Sequence, residues 1–383
     1  MTESDVTPEA KRAALIGTGM VAATHVRAIE ATGGRVRLEA LCSRDARRAA
    51  TFAERVGLGD GVRVHDDVAA VAADPDIDFA IVVTPPNARG EIVETLATAG
   101  KPILMEKPIE RTLAAATALV ERCERAGVPL GIVLQHRVRP AALELAGILA
   151  RGELGELAAV EIVVPWWREQ AYYDEPGRGT LARDGGGVLI SQAIHTIDLA
   201  LHLAGPAARV QAMTRTTALH RMEAEDFAVI GVDFANGAVG SIVASTASFP
   251  GGSEGIALHG TLGSARLDAA RLEVRLRDGT VRTVGGAGGS GGGADPMAFT
   301  HDWHRAVIED FARCLDGARA PVAPGRDALG VHRLIDAATR SSAEGRAVDL
   351  ARDDHPAVAP AGASRTGASR AGTPPADASG ASR

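Results

Sequence analysis

Two segments of the chain carry side chains able to move a proton. In Met105-Glu106-Lys107-Pro108 an apolar run ends in an acid and a base, and Pro108 fixes the turn. A partly desolvated lysine at a strand end shifts its proton affinity and serves as acid, base or hydrogen-bond donor. A surface ion pair between Glu106 and Lys107 is the plainer alternative. In the second segment Gly185-Gly186-Gly187 precede a helical pattern that places Ser191, His195 and Asp198 at i, i+4 and i+7, on one face. An imidazole there can take a hydroxyl proton near neutral pH. Asp198 could orient it or form an internal ion pair, and a purely structural histidine remains open. His202 follows on the same face, and His301 and His304 lie near a later helix. No companion carboxylate has ligand spacing, so no metal is expected.

These groups need a partner, and the start of the chain offers one. Residues 13–22 read Ala-Ala-Leu-Ile-Gly-Thr-Gly-Met-Val-Ala. Gly17 allows a tight turn, Gly19 lets backbone approach a pyrophosphate, and Ala22 takes the third small position. Thr18, Met20 and the helix start would complete an anion site with unpaired N–H groups and a positive dipole end. Gly-rich strand–helix turns also occur without a ligand. At the end of the next strand stand Ser43 and Arg44. An acid there would bond the adenosine ribose. A hydroxyl beside a guanidinium accepts a 2′-phosphate, which puts NADP slightly ahead of NAD, although Arg44 could stack on adenine or simply be solvated. Val83-Thr84-Pro85-Pro86-Asn87 ends a further strand in the same crevice. Its prolines stiffen the loop, and Asn87 could face the cofactor or cap the next helix.

The elements follow from periodicity. Strands 13–16, 38–42, 79–83 and 102–105 alternate with helices 21–32, 45–56, 87–99 and 113–126, the mark of parallel βαβ units. Strands at 156–165, 207–217, 225–234, 237–249, 255–261, 264–268 and 271–276 then follow, interrupted by one helix over 188–204. Asn236-Gly237 marks a hairpin. Trp303, Val307, Phe311 and Leu315 share one face of a late helix, and another spans 327–343. Residues 1–10 should be a flexible terminus, 11–130 a dinucleotide domain and 131–353 an α/β substrate and oligomerisation domain. A Gly-rich loop is expected at 285–294 and a disordered tail at 354–383.

Composition bounds the partners. The 383 residues carry a net charge of −7 and are 46% hydrophobic but only 3% aromatic. That balance disfavours nucleic acid and anionic membranes. Three scattered cysteines suggest neither a disulfide framework nor a zinc site. No apolar run approaches the ~18 residues of a membrane span, and a cytoplasmic location is expected.

Gly17-Thr18-Gly19, Thr84-Pro85-Pro86-Asn87, Glu106-Lys107-Pro108, Arg137-Val138-Arg139-Pro140 and Gly185…His195-Thr196-Ile197-Asp198 together resemble the Gfo/Idh/MocA family, from about residue 13 to 350. Phe234-Ala235-Asn236-Gly237 and His259-Gly260-Thr261-Leu262-Gly263 are similar too. The resemblance implies an α/β Rossmann domain followed by an α+β domain with a large, mostly antiparallel open sheet that often mediates oligomers, here a homodimer or homotetramer. It implies hydride transfer between NAD(P) and a hydroxyl carbon of a sugar, sugar nucleotide or cyclitol. Lys107 and His195 become the catalytic pair. Gly17, Thr18, Gly19, Met20, Ser43, Arg44, Thr84, Pro85, Asn87, Glu106 and Lys107 fall to the cofactor. Ser191 stands where inositol dehydrogenase-like members have Asp, which leaves Lys107 or His195 as the main proton carrier. Trp166-Trp167-Arg168, Tyr172-Tyr173 and Arg178 resemble the members acting on pyranosides and nucleotide sugars. Arg168, Tyr172 and Arg178, with Lys107, Ser191, His195 and Asp198, are then expected at the substrate, while core packing of the two tryptophans stays open. An NAD-dependent glycosidase working by transient oxidation and a non-catalytic NAD(P)- or sugar-binding protein are the alternatives.

Overall fold

Short apolar runs separated by amphipathic helices leave the chain one economical solution, a parallel sheet covered on both faces. A computed structural model describes residues 10–59, 61–286, 299–317 and 319–350. The first layer runs β1 (Lys11–Ile16), α1 (Ala22–Glu30), β2 (Val36–Cys42), α2 (Ala46–Val56), β3 (Arg63–His65), α3 (Val68–Ala73), β4 (Phe79–Val82), α4 (Arg89–Thr98), β5 (Ile103–Glu106), α5 (Leu113–Arg125) and β6 (Leu130–Val133). Its six strands lie in the order β3-β2-β1-β4-β5-β6, all parallel. The order reverses between β1 and β4, so their carboxyl ends open a crevice. Strand β5 ends beside it. Asp45 starts α2 as an N-cap, its side chain accepting from the Arg47 and Arg48 N–H groups.

The second layer contains α6 (Pro140–Ala150), β7 (Leu157–Pro165), α7 (Gln170–Tyr173), a π-helical turn over Leu189–Ala193 and α8 (Ile194–Ala204). Strands β8 (Ala207–Arg215), β9 (Phe227–Phe234), β10 (Val239–Ser245), β11 (Gly255–Gly260), β12 (Gly263–Asp268), β13 (Arg271–Leu276) and β14 (Val281–Val284) follow. Helices α9 (Asp302–Asp316) and α10 (Gly325–Glu344) and strand β15 (Val348–Asp349) complete it. Nine strands line up as β14-β13-β12-β11-β7-β10-β9-β8-β15. Only β7 and β10 pair in parallel. Gly237, at positive φ, closes the β9–β10 hairpin where Asn236-Gly237 was expected. Val160, Ile162 and Val164 of β7 point into a core shared with α6, α8 and α10, while Glu161 and Val163 point out.

The structure differs from the sequence reading at several places, and helix α6 and strands β14 and β15 are additions to it. Strand β3 and helix α3 were not anticipated, because three residues and a six-residue Ala/Val run carry little periodicity. Strand β6 prolongs the first sheet to Val133, past the expected boundary at 130. Helix α9 returns from the second domain to the first: Val307, Ile308 and Phe311 sit in its core. Phe311 lies so close over Gly131 of β6 that any Cβ there would meet its ring. The expected continuous helix over 188–204 is broken, since residues 189–193 wind as a π-turn before α8 starts. Residues 287–294 of the loop expected at 285–294, residues 1–9 of the terminus expected at 1–10 and the tail expected at 354–383 lie outside the described residues. Among the described residues, no helix is long and apolar enough to cross a membrane.

Candidate active site

The crevice at the ends of β1, β4 and β5 becomes a cavity of about 300 Å³ where the second domain closes over it. Gly17 adopts φ +109°, and a Cβ added there would stand 3.2 Å from Val83 and Thr84 backbone. Only glycine lets these two strand ends come so close. Helix α1 then starts with no side-chain cap and no acid in its first turn. Its N-terminal N–H groups and dipole are left for an external anion. Gly19, Met20, Thr84 and Pro85 line the cavity next to this helix start, as a dinucleotide requires. The residues present therefore fit NAD. Ser43 sits at the end of β2 with its hydroxyl donating to the Asp45 carbonyl at 3.2 Å, and Arg44 is exposed beside it. Asn87 is exposed, outside the lining, and caps nothing: α4 begins after Ala88 without a side-chain bond.

Lys107 reaches across from the first domain. Its Nζ donates to the Ser191 carbonyl at 2.7 Å. The π-turn explains why that carbonyl is available, because wider winding disturbs the regular hydrogen-bond ladder. Ser191 thus meets Lys107 through its backbone. The π-turn is itself held from outside: Glu225 accepts from the Gly187 and Leu189 N–H groups, both at 3.0 Å. Gly187 runs against the Glu225 backbone with no room for a Cβ. His195 follows at the start of α8 and lines the same cavity as Lys107.

Burial controls the charge states. It lowers the Lys107 ammonium to about 8. Glu106 opposes the shift, while Arg89 and Arg178 add to it. Burial and the Lys107 charge push His195 well below the usual imidazole range. Its ring stacks on His136 at 5.0 Å between centroids, and His136 is likewise kept neutral by burial and Arg139.

Glu106 stays close to the site but is tied inward. Burial disfavours its charge, yet hydrogen bonds from His25 (2.8 Å) and His304 hold its carboxyl well below the usual range. These three groups bring ligand-type atoms within 4.8 Å of one another, and Glu106 Oε1 serves both rings as acceptor.

Arg89 gave no signal in the sequence, and Arg139 stood out only as part of the Arg137–Pro140 motif with no role attached. Arg89 is fully buried. It donates through Nη2 to the Thr84 carbonyl at 2.7 Å and through Nη1 to the carbonyls of Glu106 and Pro108. One guanidinium so clamps the loops after β4 and β5. Arg139 donates to Glu254 at 2.7 Å, touches His136 and lies over the Trp303 ring at 4.0 Å.

Asp198 corrects an expectation. Both carboxylate oxygens accept from Arg137, at 2.7 and 2.6 Å, and the pair is buried outside the cavity lining. With both oxygens engaged by a bidentate guanidinium and the carboxylate buried away from the lining, Asp198 does not face the cavity. Of its two earlier readings the internal ion pair holds. Trp166 packs in the core and also lines the cavity, whereas Trp167 faces outward, its Nε1 donating to Glu169. Tyr172 lines the cavity with the Arg178 guanidinium 4.6 Å from its ring and that of Arg168 at 5.8 Å.

A parallel six-stranded sheet, an open anion site at its switch point and a lysine–histidine pair contributed by two domains define a two-domain, dinucleotide-binding oxidoreductase. Residues 11–133 match the NAD-binding Rossmann fold of an oxidoreductase family and residues 142–266 the Gfo/Idh/MocA C-terminal domain. The chain belongs to the Gfo/Idh/MocA family. It is 30% identical over 357 residues to a D-apiose dehydrogenase of Paraburkholderia graminis, covering 88% of this chain and 89% of that protein. An inositol 2-dehydrogenase of Rhizobium meliloti is 27% identical, covering 89% and 99%. The WlbA dehydrogenase of Bordetella pertussis, solved with NADH and UDP-GlcNAcA, superposes with a TM-score of 0.75 at 28% identity, covering 90% of this chain and 100% of that one.

Proposed function

We propose that this protein is a dehydrogenase that transfers hydride reversibly between a nicotinamide dinucleotide and a hydroxyl carbon of a sugar, sugar nucleotide or cyclitol. One observation carries the reading. Lys107 from the first domain and His195 from the second line a single cavity beside the glycine turn. The relatives' activities on apiose and inositol, and the NADH complex of WlbA, support the substrate class and the cofactor.

The nicotinamide, when bound, supplies the hydride acceptor or donor. Lys107 handles the proton. With an affinity near 8 it exchanges protons with a hydroxyl close to neutral pH, and as ammonium it donates to the oxygen on which negative charge builds. His195, kept neutral, donates its one ring N–H to the oxygen of the same hydroxyl and orients it while Lys107 takes the proton. Arg89 holds the loop that carries Lys107, and the Glu225 cap holds the turn that receives it.

Ser43 and Arg44 favour acceptance of a 2′-phosphate, hence NADP beside NAD. Outward apolar residues on the open sheet, Val163, Met213 and Val239, suit a homodimer or homotetramer. Lys107→Ala and His195→Ala should each lower hydride transfer, compared at saturating dinucleotide, by at least about 100-fold, the usual worth of a general acid–base group. Near-normal turnover in both variants would overturn the assignment.

A further inference from the structure

The whole chain is acidic, with a net charge of −7. Its cavity is the opposite. Five arginines and one lysine line it against two carboxylates, Glu106 and Asp184. Some of these charges are settled internally. Glu106 is bonded by His25, Arg139 by Glu254, and Arg89 is spent on backbone carbonyls. The histidines 136, 195 and 304 are held towards neutrality by burial, so they offset nothing.

Among the second-domain charges that bear on Lys107 the balance stays positive. Arg178 and Arg183 share Glu175, at 2.8 and 3.8 Å, an acid half exposed to water, and Arg183 also pairs with Asp184 at 3.6 Å. Arg178 Nε is buried without a partner, and its guanidinium is pinned on the Tyr172 ring. Asp184 already accepts from the Gly179 N–H at 2.8 Å. Lys107 Nζ is bonded to a neutral carbonyl. Arg178 is near enough for its charge to weigh against the Lys107 ammonium. A further donor, the indole N–H of Trp166, is buried in the same lining without an acceptor. Partly desolvated cations and unpaired donors lining one cavity are held at a cost, which an anion entering it would offset. These arginines belong to residues 178–183 of the second domain, whereas the glycine turn that fits the cofactor's phosphates belongs to the first.

We infer that the substrate of this dehydrogenase is an anionic sugar derivative, bearing a carboxylate or phosphate that binds at Arg178 on the Tyr172 side of the cavity. The inference rests on the dehydrogenase reading and narrows its substrate class. A carboxylate meets a guanidinium in a two-pronged bond that a neutral polyol cannot form.

The test uses binding and turnover separately. NADH-loaded enzyme is titrated by calorimetry with D-glucuronate, D-glucose 6-phosphate and D-glucose, at low and high salt. An anionic probe should bind at least about tenfold more tightly than glucose, the ratio expected of one charge-assisted bond, and the gap should shrink as salt rises. The two charged probes distinguish a carboxylate site from a phosphate site. Arg178→Gln should narrow the anion-to-glucose ratio about tenfold, and Arg178→Lys should retain most of it. Equal binding of all three probes, or an equal loss for anion and glucose in Arg178→Gln, would overturn the inference. Oxidation of neutral sugars with no anion preference sinks this inference alone, whereas tight anion binding without any hydride transfer sinks the dehydrogenase reading and leaves the anion site standing.

Discussion

The proton affinity of Lys107 sets the pH dependence of catalysis. Moving it from 10.5 to about 8 disfavours the ammonium by about 3 kcal/mol at 1.36 kcal/mol per unit. Burial is the largest cause, Glu106 opposes it, and Arg89 and Arg178 reinforce it. Oxidation needs Lys107 ready to take a proton, so kcat/KM in that direction should climb about tenfold per pH unit below 8 and level off above it. The reduction direction should run the opposite way, falling as pH rises through 8. Two substitutions separate this from an unrelated limb. Glu106→Gln removes the charge that favours the ammonium and should move the limb down by about one unit, while Arg178→Gln removes a like charge and should move it up by a similar or smaller amount. Initial rates of reduced-nicotinamide formation across pH, with dinucleotide affinity measured in parallel, provide the assay. A limb that stays fixed in both variants, or shifts up in Glu106→Gln, would refute the role given to Lys107.

Other outcomes follow from single contacts. Asp198→Asn strips Arg137 of its buried partner and should cost about 3–5 kcal/mol, read as a lowered Tm, and a raised KM at unchanged Tm would return Asp198 to the substrate. Gly17→Ala forces a side chain into positive φ against Thr84 and Val83. It should cost about 1–3 kcal/mol of strain and weaken dinucleotide binding, and unchanged calorimetric affinity would speak against the turn as the phosphate site. Arg44→Ala should raise the KM for NADP about tenfold, one charge-assisted contact, with a smaller effect on NAD, and equal changes for both would show that Arg44 does not read the 2′-phosphate.

What could be read in advance was local. Gly17 and Gly19 announce a strand–helix turn because backbone geometry demands glycine there, and Lys107 announces itself as a charge closing an apolar strand. The partners of these residues are set by long-range packing, which leaves no spacing to recognise. Arg137 and Asp198 stand 61 residues apart, Lys107 and Ser191 stand 84 apart, and Gly187 and Glu225 stand 38 apart. A buried arginine such as Arg89 looks in sequence like any solvated residue at a helix start. The π-turn at 189–193 escaped for a related reason. Its apolar periodicity fits an α-helix, and only the Glu225 cap and the Lys107 bond reveal where the winding changes.

The most direct measurement of the central claim is the yield of free reduced nicotinamide when the purified enzyme meets an oxidised dinucleotide and a panel of sugars, sugar acids, nucleotide sugars and cyclitols. At least one compound should give many equivalents of reduced cofactor per enzyme, and the Lys107→Ala/His195→Ala double variant should give none above background. Cleavage of a nitrophenyl glycoside with no net cofactor turnover, or full turnover by the double variant, would contradict a lysine and an imidazole converging on a hydride-transfer site.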